Sequence, residues 1–538
     1  MARRFAQMGL CKCFAIGYNK QKGRALFENR PSDGGTAMVR RILCLVCCAA
    51  LALLPLGALA GEAAFVMAGY DGEDSAHDWN TNQFFQRMEA RTGLAFTFQQ
   101  YTRYADWQTA KNAMFSGGEL PDVLFKAALT TDELIRYTDE GKLIDLKPLL
   151  AENAPNLWAL LQENPDWLAA ITLPNGKIGA LPSIQRNAMQ NAVWINEEWL
   201  SKLGLSMPNS WEELTQVLTA FRDRDPNGNG KKDEIPLAFL GPWELKFLSH
   251  AWGVVANDYN IYLDDAGQVR FWLMEDSFVE LARALREWYR DGLLDPNGFT
   301  TADSLRRVTD AKADIVYGAL FGPTPANLLP YDAAMKYRVL EPLEYEGKRV
   351  YRDLNGEITR GTFAITSACE DPAALLRWVD VLYTEEGAVE AMVGIEGDAY
   401  TVAEDGSWDW VGGIESMTVE KLYSISVYDS GEMPWAFPDA FYQRYADEEV
   451  RRMSDDTLKL NSMVVKPFPT YTLTQEQNAH VAALQEALGP YVDETLARFV
   501  LGETEINDQT IAAFREGLVQ RGAEEMIAFW QEIAQQLQ

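Results

Sequence analysis

Beyond residue 60 the apolar positions switch between a period of two and a helical period, and the switching spells out strand, helix, strand, helix, strand. Ala63-Ala-Phe-Val-Met-Ala68 is a short apolar run closed by the turn Gly69-Tyr-Asp-Gly72, which reads as a strand. A helix follows with Phe84, Phe85, Met88 and Ala90 on its inner side, then Leu94-Ala-Phe-Thr-Phe98 alternates as a second strand. A helix carrying Trp107, Ala110, Ala113 and Met114 stops at Gly117-Gly118, and Pro121-Asp-Val-Leu-Phe125 is the third strand. This order predicts a parallel sheet covered by helices. Asn175-Gly-Lys-Ile-Gly-Ala-Leu-Pro182 predicts a hairpin running into an extended crossing segment.

From Trp194 the pattern starts again. A helix begins in Ile195-Asn-Glu-Glu-Trp-Leu200, and another follows Pro208-Asn-Ser-Trp211, with Ser210 as N-cap and Glu213 three residues on as a capping box. Ile235-Pro-Leu-Ala-Phe239 is a strand, 280–292 an amphipathic helix, and Thr362–Thr366 with a helix over 371–383 resumes the α/β alternation. Residues 475–538 read as helical, with Leu484, Leu488, Tyr491 and Phe499 at helical spacing. Trp199, Trp211, Trp288 and Trp378 have apolar neighbours three and four residues away and are expected in the core.

The ends change the picture. Met38–Ala60 has a basic start, an apolar run and an Ala58-Leu59-Ala60 exit, the pattern of a secretory signal peptide, and residues 1–37 read as an upstream extension. Neither Cys47 nor Cys48 is preceded by the small residues a lipoprotein signal needs, so lipidation is disfavoured. Cys369 is then the lone cysteine after the leader, and the exported fold must stand on its core without an internal disulfide. The 478 residues after the leader carry 39 basic and 76 acidic side chains, a charge that repels nucleic acid and anionic membranes. Sixteen tryptophans on so acidic a chain fit carbohydrate handling outside the cell.

Asp225-Pro-Asn-Gly-Asn-Gly-Lys-Lys-Asp-Glu234 carries the clearest chemistry. A calcium ion takes six to eight oxygens, and a tight loop supplies them from alternate residues. Asp225, Asn227 and Asn229 occupy the first, third and fifth places, with Gly230 at the sharp turn. Lys231 offers its carbonyl, and Asp233 and Glu234 close the sphere earlier than the twelfth-position glutamate of an EF-hand. Such an all-protein cage is structural: Ca2+ there would pin a helix end to the strand at 235.

Taken in order, several segments resemble the extracellular solute-binding proteins of ABC importers, in the oligosaccharide-binding group that includes the alginate-binding and LplA-like proteins. They are Pro121-Asp-Val-Leu-Phe, Gly141-Lys-Leu-Ile-Asp-Leu, Ala154-Pro-Asn, Asn175–Pro182, Asn196-Glu-Glu-Trp-Leu, Asp225–Pro236, Tyr289-Arg-Asp-Gly-Leu-Leu-Asp295 and Gly394-Ile-Glu-Gly-Asp-Ala-Tyr400. The resemblance spans essentially the whole exported chain. It implies an α/β, two-lobe periplasmic-binding-protein-like fold of type II, with crossing hinge strands and a helical C-terminal region, closing on a sugar without altering it. The lobes are expected at 61–183 plus 360–412 and at 184–359 plus 413–538. The resemblance also implies calcium on the 225–234 loop, ABC permease transmembrane subunits as partners, a monomeric carrier and an extracytoplasmic location.

In doubly wound lobes ligands sit beyond the carboxyl ends of strands. That rule points to Tyr70 and Asp71 after the first strand and to Lys126 after the third, with Gln185 and Arg186 at the first crossing. Trp243, after Gly241-Pro242, is a stacking candidate, as is Trp435 within Met433-Pro-Trp-Ala-Phe-Pro438. Glu396 and Tyr400 in the Gly-Ile-Glu-Gly segment are pocket candidates by family position and loop glycines. A calcium-containing carbohydrate hydrolase and a ligand-presenting sensor are the rival readings. With three histidines in the chain, no His-Glu-x-x-His helix and no Gly-x-Ser-x-Gly elbow, the routes to triad or zinc chemistry are few, and no enzyme is expected.

Overall fold

The protein is described by a computed structural model covering residues 64–73, 75–186, 191–299, 315–353, 357–428 and 432–537. The expected leader at 38–60 lies outside the described residues. Two separate sheets organise the chain. The first is five-stranded, in the order Phe96–Tyr101, Phe65–Tyr70, Val123–Phe125, Ile358–Ile365, Leu181–Ile184. Its first three strands are parallel, as the βαβ reading predicts, and Ile358–Ile365 returns antiparallel to both of its neighbours. The second sheet is four-stranded: Tyr337–Val339, Ala192–Asn196, Tyr317–Gly322, Ile235–Ala238.

Local chemistry explains the elements. The helix Gln83–Thr92 starts where the Asn82 side chain accepts from Phe84 N–H and stops at the left-handed Gly93, burying Phe84, Phe85 and Met88. Ala90 is exposed, so the predicted inner stripe is one residue narrower. Ser210 does cap the helix Trp211–Asp223, but Glu213 reaches back to Asn209 N–H, not to the cap residue, so the box is only half formed. Two glycines are obligatory: a Cβ on Gly69 would fall 1.7 Å from Phe125 O, and one on Gly361, at φ +75, would fall 2.3 Å from Leu129 O. These close approaches let the strand Phe65–Tyr70 and the loop after Phe125 pack without a gap.

Trp378 is fully buried in the first sheet's core, with Phe85, Phe96 and Phe125 at ring distances of 6.3, 5.2 and 5.8 Å. Trp199 and Trp288 are also core, and Trp211 stacks on Trp288 at 3.8 Å while keeping partial exposure. The tail forms three helices, Gln475–Leu501, Asp508–Gln520 and Ala523–Gln536.

The contacts move one expected boundary. Residues 413–446 were assigned above to the second lobe, yet they pack on first-sheet elements. Asn82 Nδ2 donates to Tyr423 O and Ser426 O at 2.9 and 2.7 Å, Val427 N–H donates to Ala391 O, and Ile184 N–H donates to Trp435 O at 2.7 Å. Sequence periodicity does not reveal which sheet a loop-rich segment will cover. The helix Glu448–Asn461 is the first element after it to pack on the second sheet.

That helix meets the edge strand through charge. Asp456 lies 3.5 Å from Arg338, which also approaches Glu197 at 3.4 Å. Burial pushes the Asp456 carboxyl up to about 6 against the pull of Arg338. A carboxyl raised on folding stabilises below its unfolded pKa, about 3.9, and that contribution is lost as pH rises through 6. Asp456→Asn is therefore expected to be neutral below pH 4 and to gain about 1–3 kcal/mol over wild type above pH 6, read by urea unfolding at each pH.

Candidate ligand-binding cleft

Two cavities sit beside each other, one where first-sheet and second-sheet elements meet and one lined wholly by second-lobe residues. The larger, about 290 Å3, takes Trp167, Glu357 and Arg360 from the first side and Tyr259, Lys466 and Trp530 from the other. The smaller, about 240 Å3, is lined by Trp243, Phe247, Arg352 and Gly489, and the two share the wall Asn257-Asp258-Tyr259. Both lie close to the lower end of the volumes usual for small-molecule sites, about 300–1,000 Å3.

The first-side wall is built by a short helix, Pro165–Ile171, and the start of the strand Ile358–Ile365. Trp167 Nε1 donates to Glu357 at 2.9 Å, and the Arg186 guanidinium lies 5.5 Å from the Trp167 ring centre. Arg360 donates to Ala170 O and to Thr131 Oγ1, and burial holds its guanidinium below its usual pKa. On the far side Tyr259 and Phe468 pack on Trp530 at 5.2 and 5.0 Å. Trp530 is 6% exposed, and its indole N–H has no acceptor among the described residues. The ion pair Asp166–Lys466, 2.6 Å, ties the two sides together at the same cavity. Flat aromatic faces beside planar polar groups are what a pyranose or furanose ring needs.

The sequence candidates distribute unevenly over this geometry. Trp243 lines the smaller cavity, with its ring 5.6 Å from Phe247. Arg186 reaches the larger one indirectly, over Trp167, and Gln185 N–H donates to Glu357 O at 2.8 Å. Asp71 and Lys126 are at the carboxyl ends of their strands but face inward, both 0% exposed and paired at 2.5 Å. His77, Ser75 and Gln100 complete the Asp71 shell at 2.8, 2.8 and 3.0 Å. Burial opposes ionisation of Asp71, but the Lys126 charge and the His77 hydrogen bond hold its carboxyl well below the usual carboxylate range. Tyr70 packs edge-on to Tyr104, and Trp435 is buried at 3% against Tyr428. Tyr400 packs on Phe441 in the hairpin Tyr400–Val402/Trp408–Trp410, and Glu396 is exposed beside it; neither lines the two cavities.

Trp167, Glu357, Arg360, Tyr259, Lys466 and Trp530 were not singled out from sequence. They belong to five separate stretches, and nothing in their local pattern distinguishes them. The one available signal was the segment Pro467-Phe-Pro-Thr-Tyr471, a proline-stiffened aromatic loop like the one around Trp435.

The 225–234 loop is a second, separate site. Asp225 has a left-handed backbone (φ 46) and accepts from Gly228, Asn229 and Gly230 N–H, while the Asn227 and Asn229 amides converge on Asp233 at 3.1–3.2 Å. Burial, together with the neighbouring charges of Asp233 and Asp225, pushes the Glu234 carboxyl up, and its Oε1 is buried without a hydrogen-bond partner. Among the described residues no three His, Cys, Asp or Glu gather closely enough to hold an ion by themselves. The oxygen set is completed by asparagine and backbone groups, as a hard cation prefers. A stranded buried carboxylate oxygen between two acids fits a cation.

Comparison with known proteins follows the same lines. FusA of Streptococcus pneumoniae, a fructooligosaccharide ABC transporter substrate-binding protein, is 30% identical over 337 residues, 60% of this chain and 62% of FusA. The sequence match thus spans under two thirds of that relative. Among solved structures, FusA in complex with kestose matches 88% of this chain and 99% of its own, at 24% identity and a TM-score of 0.66. A FusA EF-hand mutant in complex with fructo-nystose gives the same TM-score, 0.66, at 23% identity over 88% and 99% of the two chains. An extracellular solute-binding protein of Bifidobacterium longum subsp. infantis reaches a TM-score of 0.71 at 21% identity, over 88% and 98% of the two chains. Alginate-binding protein AlgQ2 without calcium ion gives 0.61 at 22%, over 88% and 99%. At these identities the structures establish the fold, the α/β two-lobe architecture with a helical C-terminal region. The family model of bacterial extracellular solute-binding proteins matches residues 79–389, and the chain belongs to that family.

Proposed function

We propose that this chain is the substrate-binding component of an ABC importer, which captures an oligosaccharide outside the membrane and delivers it unaltered to the permease transmembrane subunits. The observation that carries this reading is the aromatic-walled cleft between two α/β lobes, with Trp167 on one side and Tyr259 and Trp530 on the other. The lobes comprise 64–184 with 358–446, and 192–353 with 447–537. A ligand touching both sides favours the closed form and shifts the population toward it. FusA, the relative described above, supports the sugar class. Of the three carboxylates lining the larger cavity, Asp166 and Asp258 are each engaged by a cation and Glu357 by the Trp167 N–H, which suits binding better than a pair of free carboxyls for hydrolysis would.

Export by the 38–60 leader and a monomeric carrier that avoids nucleic acid complete the reading. Trp243 is assigned to the ligand surface. Incubation with a glycan panel tests the whole: saturable binding that raises Tm and returns the sugar unchanged is expected, and turnover of any glycan would establish the hydrolase instead. Trp167→Ala should weaken binding of the best glycan by about ten- to thirtyfold in the folded protein, measured by calorimetry, and, since the ring is buried, should lower the unfolding midpoint as well.

The 225–234 loop is assigned to structural Ca2+, with Asp225, Asn227, Asn229, Asp233 and Glu234 as side-chain ligands and Lys231 through its carbonyl. The loop runs directly into the strand Ile235–Ala238, and Asn227 also donates to Ile315 O at 3.4 Å, so the ion would fix two strand starts. Chelation should lower Tm without abolishing glycan affinity, and Glu234→Gln should remove the response to added Ca2+. Loss of binding at unchanged stability would overturn the structural role.

A further inference from the structure

We infer that Glu357 is a positioning residue for ligand capture: its carboxylate fixes the Trp167 ring in the cleft wall, and its backbone ties that ring to the crossings between the lobes. The inference rests on the cleft reading above and deepens it, by naming the residue that makes the ring answer to the hinge.

The ring supplies the first half. Trp167 is 5% exposed, and an indole N–H so far from water needs an acceptor. The acceptor comes from outside the short helix Pro165–Ile171: it is Glu357 Oε2, 2.9 Å away and 190 residues further along the chain. A carboxylate makes this hydrogen bond charge-assisted, stronger than one between neutral groups. Rotation of an indole about its bond to Cβ is otherwise broad, so a fixed acceptor decides which way the ring faces. The Arg186 guanidinium, 5.5 Å from the ring centre, adds a second hold from the first crossing.

The backbone supplies the second half. Glu357 O accepts from Gln185 N–H at 2.8 Å, and the next residue, Ile358, stands opposite Ile184 in the first sheet. Ile184 in turn donates to Trp435 O at 2.7 Å and accepts from Phe437 N–H at 2.8 Å. Residues 184–186, 357–358 and 435–437 therefore lie side by side. The first two stretches are where the chain passes between the sheets. Leu181–Ile184 is followed by Ala192–Asn196 of the second sheet, and Tyr351–Arg352, paired with Val464–Val465, precedes Ile358–Ile365 of the first. Hinges absorb their motion as backbone rotations in a few such element-terminal residues. Turning the lobes about these crossings thus turns Glu357, and its carboxylate carries the Trp167 N–H with it. The converse also holds: a sugar seated against the ring resists the turn that would reopen the cleft. Glu357 and Trp167 both line the larger cavity, so the path from hinge to ligand is one side chain long.

A double-mutant cycle tests the coupling, read by calorimetry and stopped flow with the tightest binder among kestose, maltotriose, mannotriose and trigalacturonate. Glu357→Ala is expected to weaken binding about tenfold, the size of a lost hydrogen bond to a charged group, with the loss falling on the dissociation rate. In a Trp167→Phe background, which keeps a ring without an N–H, the same substitution should cost less than about twofold. Glu357→Gln, which keeps an oxygen acceptor, should recover most of the loss. Fluorine NMR of protein labelled with 5-fluorotryptophan reads the ring directly, the Trp167 resonance being assigned by its absence in Trp167→Phe. Glu357→Ala should shift or broaden that resonance and leave those of Trp199 and Trp288, in the core of the other lobe, in place. If Glu357→Ala does not fold, Glu357→Met, which fills similar space without a carboxylate, takes its place in the cycle. Equal losses in the two backgrounds, a Trp167 resonance indifferent to residue 357, or a Glu357→Gln variant as weak as Glu357→Ala would overturn the inference alone. If wild type binds none of the four sugars, the cleft reading itself falls, and the inference with it.

Discussion

Lys126→Met is expected to lower the unfolding free energy by about 3–5 kcal/mol, the usual consequence of removing one partner of a buried ion pair. Asp71 would remain in the interior without its lysine partner: Ser75, His77 and Gln100 are hydrogen-bonded to the same oxygen, Oδ2, and among the described residues it is Lys126 that reaches Oδ1. The loss should exceed that from Asp71→Asn combined with Lys126→Met, where no charge is stranded; a double-mutant cycle by urea unfolding measures the difference. The pH dependence follows the depressed carboxyl. Its contribution is complete above the unfolded pKa, about 3.9, and disappears as pH falls into the acid range below it, so wild type and Lys126→Met should converge there. The same substitution also frees Val427 O, which accepts from Lys126 at 3.3 Å, so the segment after 413 should loosen as well. Protection of that segment from hydrogen exchange should fall; an unchanged pattern would place the anchoring elsewhere.

Trp378→Ala carries the other large effect, about 3–5 kcal/mol, because a fully buried indole leaves a cavity that the rigid surroundings cannot fill. Phe84, Phe85, Phe96, Phe125 and Phe363 all pack around that ring, and they come from a helix and three different strands. Their only way to close the void is a concerted shift of the sheet. Trp378→Phe should cost far less, about 1–2 kcal/mol: it removes less volume, and it also removes an indole N–H that has no acceptor among the described residues. Thermal unfolding of the two variants side by side tests the ranking. A Trp378→Phe variant as unstable as Trp378→Ala would mean that the N–H, and not the packing, is what the site needs.

Helices, strands and their order could be read from the chain because each is set by local period and local caps. Phe84, Phe85 and Met88 face inward because the helical repeat puts them on one side, and Ser210 caps its helix through a hydrogen bond three residues away. The loop proposed for calcium is legible for the same reason, since all its oxygens lie within ten residues. The strand-end rule located Asp71 and Lys126 correctly along the chain and yet missed their role. Which way a side chain turns depends on the backbone at Lys126, left-handed at φ 51, and on contacts contributed 300 residues later by Val427.

The cleft itself was decided by tertiary structure alone. Trp167 meets Glu357, and Asp166 meets Lys466, across separations of 190 and 300 residues, so no window of sequence contains either pair. The same holds for the segment 413–446, whose apolar residues would cover either sheet and whose hydrogen bonds to Asn82 and Ile184 choose the first. Local free energies of a few tenths to one kcal/mol per residue suffice to fix helices and turns. Choosing which distant surfaces meet requires the summed burial of whole faces, and that quantity exists only once the chain has folded.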